Sequence, residues 1–383
     1  MTAPLEGVIV VALEQAVAAP FATRQLADLG ATVLKVERPG DGDFARNYDS
    51  KVNGQSAFFV WCNRGKQSIT LDLKDDADQA TFRALIAGAD VFVQNLSHAA
   101  AHRAVIAADQ LLQRHPALIA CDISGYGGGG PRTDDKAYDL AIQAEAGAMA
   151  VTGSADDMSK VGFSVADIAA GMYCLTSVLA ALHRRERTGV GAAIEVSMLE
   201  SLAEWTTAPV LAAAYTDHVP ARAGHRHALI APYGLFDLSD GRRVLIAVQS
   251  DPEWRSMAEH LLGDASLGTE HRFATNADRI ANVDDLEAVI AARLCAISGD
   301  DAVAGLRAGR IAHAWARDQL EVWNHEQLRA RGRFMTVSTA TGDAEVYKPP
   351  FNISGLPEPA ATIPSLGEHD PALIAALTRR GGS

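Results

Sequence analysis

Five short apolar runs, alternating with helical stretches, constrain this chain more than any other feature. They are VIVVAL (8–13), ATVLKVE (31–37), SITLDL (68–73), VFVQN (91–95) and ALIACDIS (117–124), and each reads as a buried strand. The helical stretch after the first run ends at Gly30, a natural C-cap. Strands alternating with helices predict a mostly parallel sheet with helices on both faces, a Rossmann-like α/β architecture. Ligands in such folds lie beyond the carboxyl ends of the strands, where Glu37, Arg38, Asn95 and Gly125 stand.

The pattern changes after IEVSMLESLAEW (194–205). From about 220 to 325 the chain has its own strand, RRVLIAVQ, followed by helical segments around 251–262, 284–297 and 301–308. That stretch reads as a smaller α/β domain. The tail from about 330 holds KPPFNISGLP and SLGEHDPALIAAL, Pro-rich extended chain and then a short helix.

A length of 383 residues favours two domains. The 34 basic residues against 47 acidic ones give a net charge of −13, which argues against a nucleic-acid footprint. An acidic chain still binds an anion where a few Arg and Lys converge. MTAPLEGVIVVAL has no basic n-region or small-residue cleavage site, so no signal peptide is expected. No membrane span is expected either, because the longest apolar helices carry Asp, Arg or Glu. Cysteines at 62, 121, 174 and 295 form no CxxC pair, which fits reduced thiols in the cytoplasm and neither a disulfide frame nor a metal site. His225 and His227 lack the further ligands a metal set needs.

Two segments carry the candidate chemistry. GFSVADIAAGMYCLTSVLAAL (162–182) places Asp167 at the mouth of a long apolar helix, where the helix dipole is expected to keep it ionised. Just upstream, KAYD sets Lys136, Tyr138 and Asp139 before another apolar run. On spacing alone Asp167 is either a helix cap or a nucleophile toward an activated carbonyl. GYGGGG (125–130) satisfies the dinucleotide pattern, but Pro131 follows it directly, so no helix N-terminus stands ready for a pyrophosphate.

Taken together, APFATRQLADLGATVLKVERPGDGD, NRGKQSITLDLK, ADVFVQN, SGYGGGGP, KAYDLAIQAEAG, VGFSVADIAAGMY, TGVGAAIEVSML, IAPYGLFDLSDG and LGEHD resemble the family III CoA-transferases. That group contains formyl-CoA transferase and carnitine CoA-transferase. The resemblance implies that Asp167 attacks an acyl-CoA thioester, passing through an aspartyl anhydride and an aspartyl-CoA thioester before a free carboxylic acid accepts the CoA. Coenzyme A is then a substrate, with no prosthetic group and no metal. The positions matching the family's CoA contacts are Gln15, Ala16, Arg38, Leu73, Lys74, Asn95, Leu96, Arg103, Lys136, Tyr138 and Asp139. Arg64 and Lys66 are added near the phosphates. The resemblance also implies an interlocked homodimer. Its domain plan is a large CoA-binding domain (1–205), a linker (206–224), a small domain (225–325) and a second linker with a C-terminal return (326–383).

The chain departs from formyl-CoA transferase in two places. Gln15 and Val17 stand where that enzyme has a histidine and a glutamine, and AGHRHALIAPYG replaces its glycine-rich loop. Formate and oxalate are therefore disfavoured, and Arg222, His225, Arg226 and His227 become candidates for a second substrate carboxylate, as in itaconate, mesaconate or succinate. Two other functions compete. An α-methylacyl-CoA racemase shares the family's fold but needs two bases, and Tyr138 stands where the related racemases have a histidine. A phenol of pKa about 10 is a poor base at neutral pH. A non-catalytic CoA-binding protein requires Asp167 to be a cap and nothing more.

Overall fold

The structure, a computed structural model, describes residues 2–381. Strands β1 (Ile9–Leu13), β2 (Thr32–Glu37), β3 (Lys66–Thr70), β4 (Val91–Gln94), β5 (Ile119–Ser124) and β6 (Ala192–Ser197) make one sheet. All neighbours are parallel, in the order β3-β2-β1-β4-β5-β6. Side chains alternate between faces, so Val10, Val33 and Val91 enter one core while Val11, Leu34 and Phe92 enter the other. β3 begins at Lys66, ahead of the expected SITLDL run, and β6 is absent from the expected strands. The chain reverses its winding between β1 and β4, which opens a crevice at their carboxyl ends.

Helix α1 (Ala18–Asp28) follows β1, α2 (Asp139–Glu145) follows the glycine-rich loop, and α3 (Val165–Thr188) follows the Gly162–Ser164 turn. The buried face of α3 runs through Val165, Ala169, Cys174, Val178 and Leu182, at helical spacing. It ends at Gly189, whose left-handed φ of 71° closes the last turn. Length and composition alone would let α3 cross a membrane, yet over half of its apolar window is buried within the protein, as expected of a core helix. Cys121 and Cys174 face each other there as free thiols, the Cys121 thiol donating to Cys174 Sγ at 3.4 Å.

One compact unit comprises the chain up to Ala148, Val161–Leu211 and the chain from Gln327 on. A second comprises Met149–Lys160 and Ala212–Glu326. The second holds an antiparallel sheet of β7 (Tyr233–Asp237), β8 (Arg243–Ala247) and β9 (Ala312–Trp315), of which only β8 falls in an expected strand. Its core packs Trp254, Phe273, Leu286 and Ile290 around a fully buried Arg279, which donates to the Ala231 and Phe273 carbonyls and to Asp251. Helix α4 (Thr207–Thr216) and a hairpin of β10 (Phe334–Thr339) and β11 (Gly342–Tyr347) form where linker chain was expected.

Candidate active site

The crevice between β1 and β4 is built by reciprocal hydrogen bonds. The Gln15 amide donates to Asn95 Oδ1 at 2.9 Å, and Asn95 Nδ2 donates to the Gln15 carbonyl at 2.8 Å. Gln15 Oε1 is buried there with no hydrogen-bond partner among the described residues. Next to it, Ala16 holds φ at 62°, a left-handed conformation that costs a non-glycine residue about 1–3 kcal/mol. Asp43 sustains it by accepting the Ala16 amide at 2.9 Å.

Asp43 belongs to a buried charge cluster beneath the loop. Lys35 Nζ lies 2.7 Å from Asp43 and 3.4 Å from Glu14, and Lys66 Nζ lies 2.6 Å from Glu14, all with side chains fully buried. Burial favours the neutral form of Glu14, but the charges of Lys66 and Lys35 outweigh it and hold the carboxyl below its ordinary range. Lys66 is thus committed to Glu14, and Arg64 is buried against Asp28 at 2.7 Å, so neither reaches outward to a phosphate. A lysine inside a strand looks like a surface charge in the sequence, and only its buried partner shows otherwise.

The four other cations remain outside. Arg38, Lys74, Arg103 and Lys136 are all exposed, and among the described residues none forms an ion pair. Arg38 lies over the Phe44 ring at 4.7 Å. Each comes after a strand of the large sheet in chain order, in a segment that leaves the sheet's carboxyl edge. Leu73 and Leu96 pack partly buried against the apolar core at the same edge.

The candidate reacting centre is assembled by close packing at the end of β5. A Cβ on Gly125 would come within 2.1 Å of the Ala137 Cβ, so the backbone there approaches as only glycine permits. That contact seats the exposed Tyr138 and the half-buried Asp139 at the start of α2. Asp139, rather than Asp167, accepts the first amides of α3: its Oδ1 takes Ala166 N–H at 2.8 Å and Asp167 N–H at 3.4 Å. Its Oδ2 takes Gln143 Nε2 at 2.7 Å. The half-buried Asp167 carboxylate accepts no hydrogen bond among the described residues. Contrary to the expectation from the helix dipole, burial and then the Asp139 charge push its pKa up to about 7.

Three residues around these candidates escaped the sequence reading. The Tyr48 hydroxyl is raised above its usual range by burial and by the charges of Asp43, Asp167 and Tyr138, which puts this residue within electrostatic reach of the centre. Asp43 and Gln143 act through tertiary contacts that no local pattern marks. Other candidates turn out to be occupied. Arg222 donates to the Ser154 and Ala155 carbonyls, Arg226 pairs with Asp284 and Glu287, His225 accepts the Leu235 amide, and His227 stacks on Tyr233. The glycine-rich loop binds within the protein as well, Gly128 N–H donating to Glu195.

The profile of CoA-transferase family III matches residues 5–370. The acetyl-CoA:oxalate CoA-transferase of Acetobacter aceti is 36% identical over 289 residues, 75% of this chain and 74% of that protein. The succinate–glutarate CoA-transferase of Agrobacterium fabrum is 30% identical over 98% of this chain and 96% of its own. For the succinyl-CoA:mesaconate CoA-transferase of Haloarcula marismortui the identity is 31%, over 97% and 95%. A crystal structure of a CAIB/BAIF family protein from Brucella suis superposes with a TM-score of 0.87 at 32% identity, covering 98% of this chain and 100% of that one. With an α/β fold, a parallel six-stranded sheet and a family match over nearly its whole length, the chain belongs to CoA-transferase family III and is a CoA-transferase.

Proposed function

We propose that this enzyme moves CoA from an acyl-CoA thioester to a free dicarboxylic acid, with Asp167 as the covalent relay. The observation that carries the reading is the division of labour at the mouth of α3: Asp139 occupies the helix amides while the Asp167 carboxylate keeps its lone pairs unengaged. Ionised Asp167 attacks the thioester carbonyl carbon, the C–S bond breaks, and CoA leaves as thiolate from an aspartyl–acyl anhydride. The thiolate attacks the aspartyl carbon of the anhydride and releases the donor acid as carboxylate. An acceptor carboxylate then attacks the aspartyl-CoA thioester, and the returning thiolate takes the new acyl group and frees Asp167. Each covalent intermediate stays about as activated as the starting thioester.

The exposed cations along the sheet edge support a CoA phosphate site, with Gln15, Ala16, Leu73, Asn95 and Leu96 lining the approach. Support for a dicarboxylate comes from relatives named for oxalate, glutarate and mesaconate. The relative named for oxalate weighs against setting that acid aside, and the occupied Arg222 and Arg226 leave the second carboxylate to other groups. The same reading includes a homodimer. Helix α4 buries none of its residues and exposes Val210, Leu211 and Tyr215, an apolar surface that a second copy would cover.

The test combines exchange assays with trapping. Acetyl-CoA and succinyl-CoA are each incubated with oxalate, glutarate, mesaconate and itaconate, and new thioesters are resolved by mass. Asp167→Ala is expected to abolish exchange, and hydroxylamine is expected to trap the wild-type adduct at that residue. Exchange retained by Asp167→Ala would sink the proposal, and deuterium wash-in at a 2-methylacyl α-carbon without an acceptor would favour racemisation.

A further inference from the structure

We infer that Gln143 is a positioning residue, setting the aim of the Asp167 carboxylate by clamping Asp139 to the loop that leads into α3. The inference rests on the reading of Asp167 as nucleophile. Gln143 is fully buried on α2, and both ends of its amide are used. Nε2 donates to Asp139 Oδ2 at 2.7 Å and to the Phe163 carbonyl at 3.3 Å, while Oε1 accepts the Val161 amide at 2.8 Å. The Phe163 carbonyl also accepts the Val165 amide at 2.8 Å, so the turn is held from two sides.

This geometry fixes two things together. With Oδ2 of Asp139 pinned by Gln143, Oδ1 is directed at the Ala166 and Asp167 amides, which registers the first turn of α3 against α2. The backbone at Val161 and Phe163 is tied to the same amide, so the chain reaches Asp167 along one path. Among the described residues Gln143 makes no hydrogen bond to the Asp167 carboxylate, so its effect passes through Asp139 and the turn. A reacting group misplaced by about 1 Å loses up to about a hundredfold in rate, which makes such a clamp consequential.

The experiment uses the full-length protein with whichever of acetyl-CoA and succinyl-CoA the exchange assay shows to be a donor. Gln143→Met keeps the side-chain volume and removes all three hydrogen bonds. It is expected to slow acylation of Asp167, read by quenched-flow mass spectrometry, by roughly tenfold to a hundredfold, while the Kd for CoA moves by less than about twofold. In an Asp139→Asn background the same change is expected to add little, because coupled groups are non-additive. Gln143→Glu, which keeps the acceptor for the Val161 amide, serves if the methionine variant fails to fold, and it too is expected to acylate slowly. Wild-type acylation rates in the folded variant, or a loss that simply adds to that of Asp139→Asn, would overturn the inference while leaving the nucleophile in place. Exchange in the wild type without any Asp167 adduct would overturn both.

Discussion

A carboxylate that caps a helix spends its lone pairs on backbone amides and has little left for an electrophile. In this chain the two demands fall on two residues, Asp139 taking the amides and Asp167 remaining open. Their proximity carries an electrostatic penalty, because burial and the Asp139 charge raise Asp167 to about 7. Under the proposed mechanism only the ionised carboxylate attacks, so kcat/KM is expected to climb as pH rises through about 7 and to level off above it. Asp139→Asn removes the repelling charge, Asp167 then ionises at lower pH, and the rising limb is expected to move toward acid. A pH profile of kcat/KM reads this directly, and an unmoved limb would assign the whole shift to burial. At this scale the sequence reading singled out Asp167, Tyr138 and Asp139 as candidates because they sit in recognisable segments. It could not see Tyr48, Asp43 or Gln143, whose contacts with this region exist only once distant segments pack together.

Among the elements, the central strands were legible because burial on both faces leaves near-continuous apolar runs. β6 lies at the sheet edge with Ala193 and Glu195 exposed and runs straight into a helix, so its signal was weak. The four-residue β9, only partly buried, offered even less. Lys35 and Lys66 interrupt β2 and β3 with charge, yet both strands tolerate them because Glu14 and Asp43 neutralise them internally. Glu14→Ala would leave Lys35 with Asp43 and a backbone carbonyl, and Lys66 with only the Pro20 carbonyl and Asn63 Oδ1. It is expected to destabilise the protein by about 3–5 kcal/mol in a denaturant titration. A loss within about 0.5 kcal/mol, the range of ordinary surface substitutions, would show that the cluster is hydrated and contributes little.

At the scale of the whole molecule, the apolar exposure of α4 bears on assembly. Light scattering is expected to give twice the 40.5 kDa chain mass, and Leu211→Glu, which puts a charge on that helix, is expected to lower it toward a single chain. A wild-type mass of one chain would remove the homodimer from the proposal. The change of pattern after residue 205 suggested a second domain, but nothing local marked Met149–Lys160 for the second unit, since a short turn and a domain crossing look alike in sequence. That crossing restricts how the protein can be taken apart. The backbone passes into the second unit at 149, returns at 161, leaves again at 212 and comes back at 327, so no single scission yields two intact pieces. A fragment of 212–326 would lack the stretch of chain that completes it, and the remainder would carry that stretch orphaned just ahead of Asp167. Modular exchange of the second unit between relatives therefore requires grafting two separate stretches of gene at once.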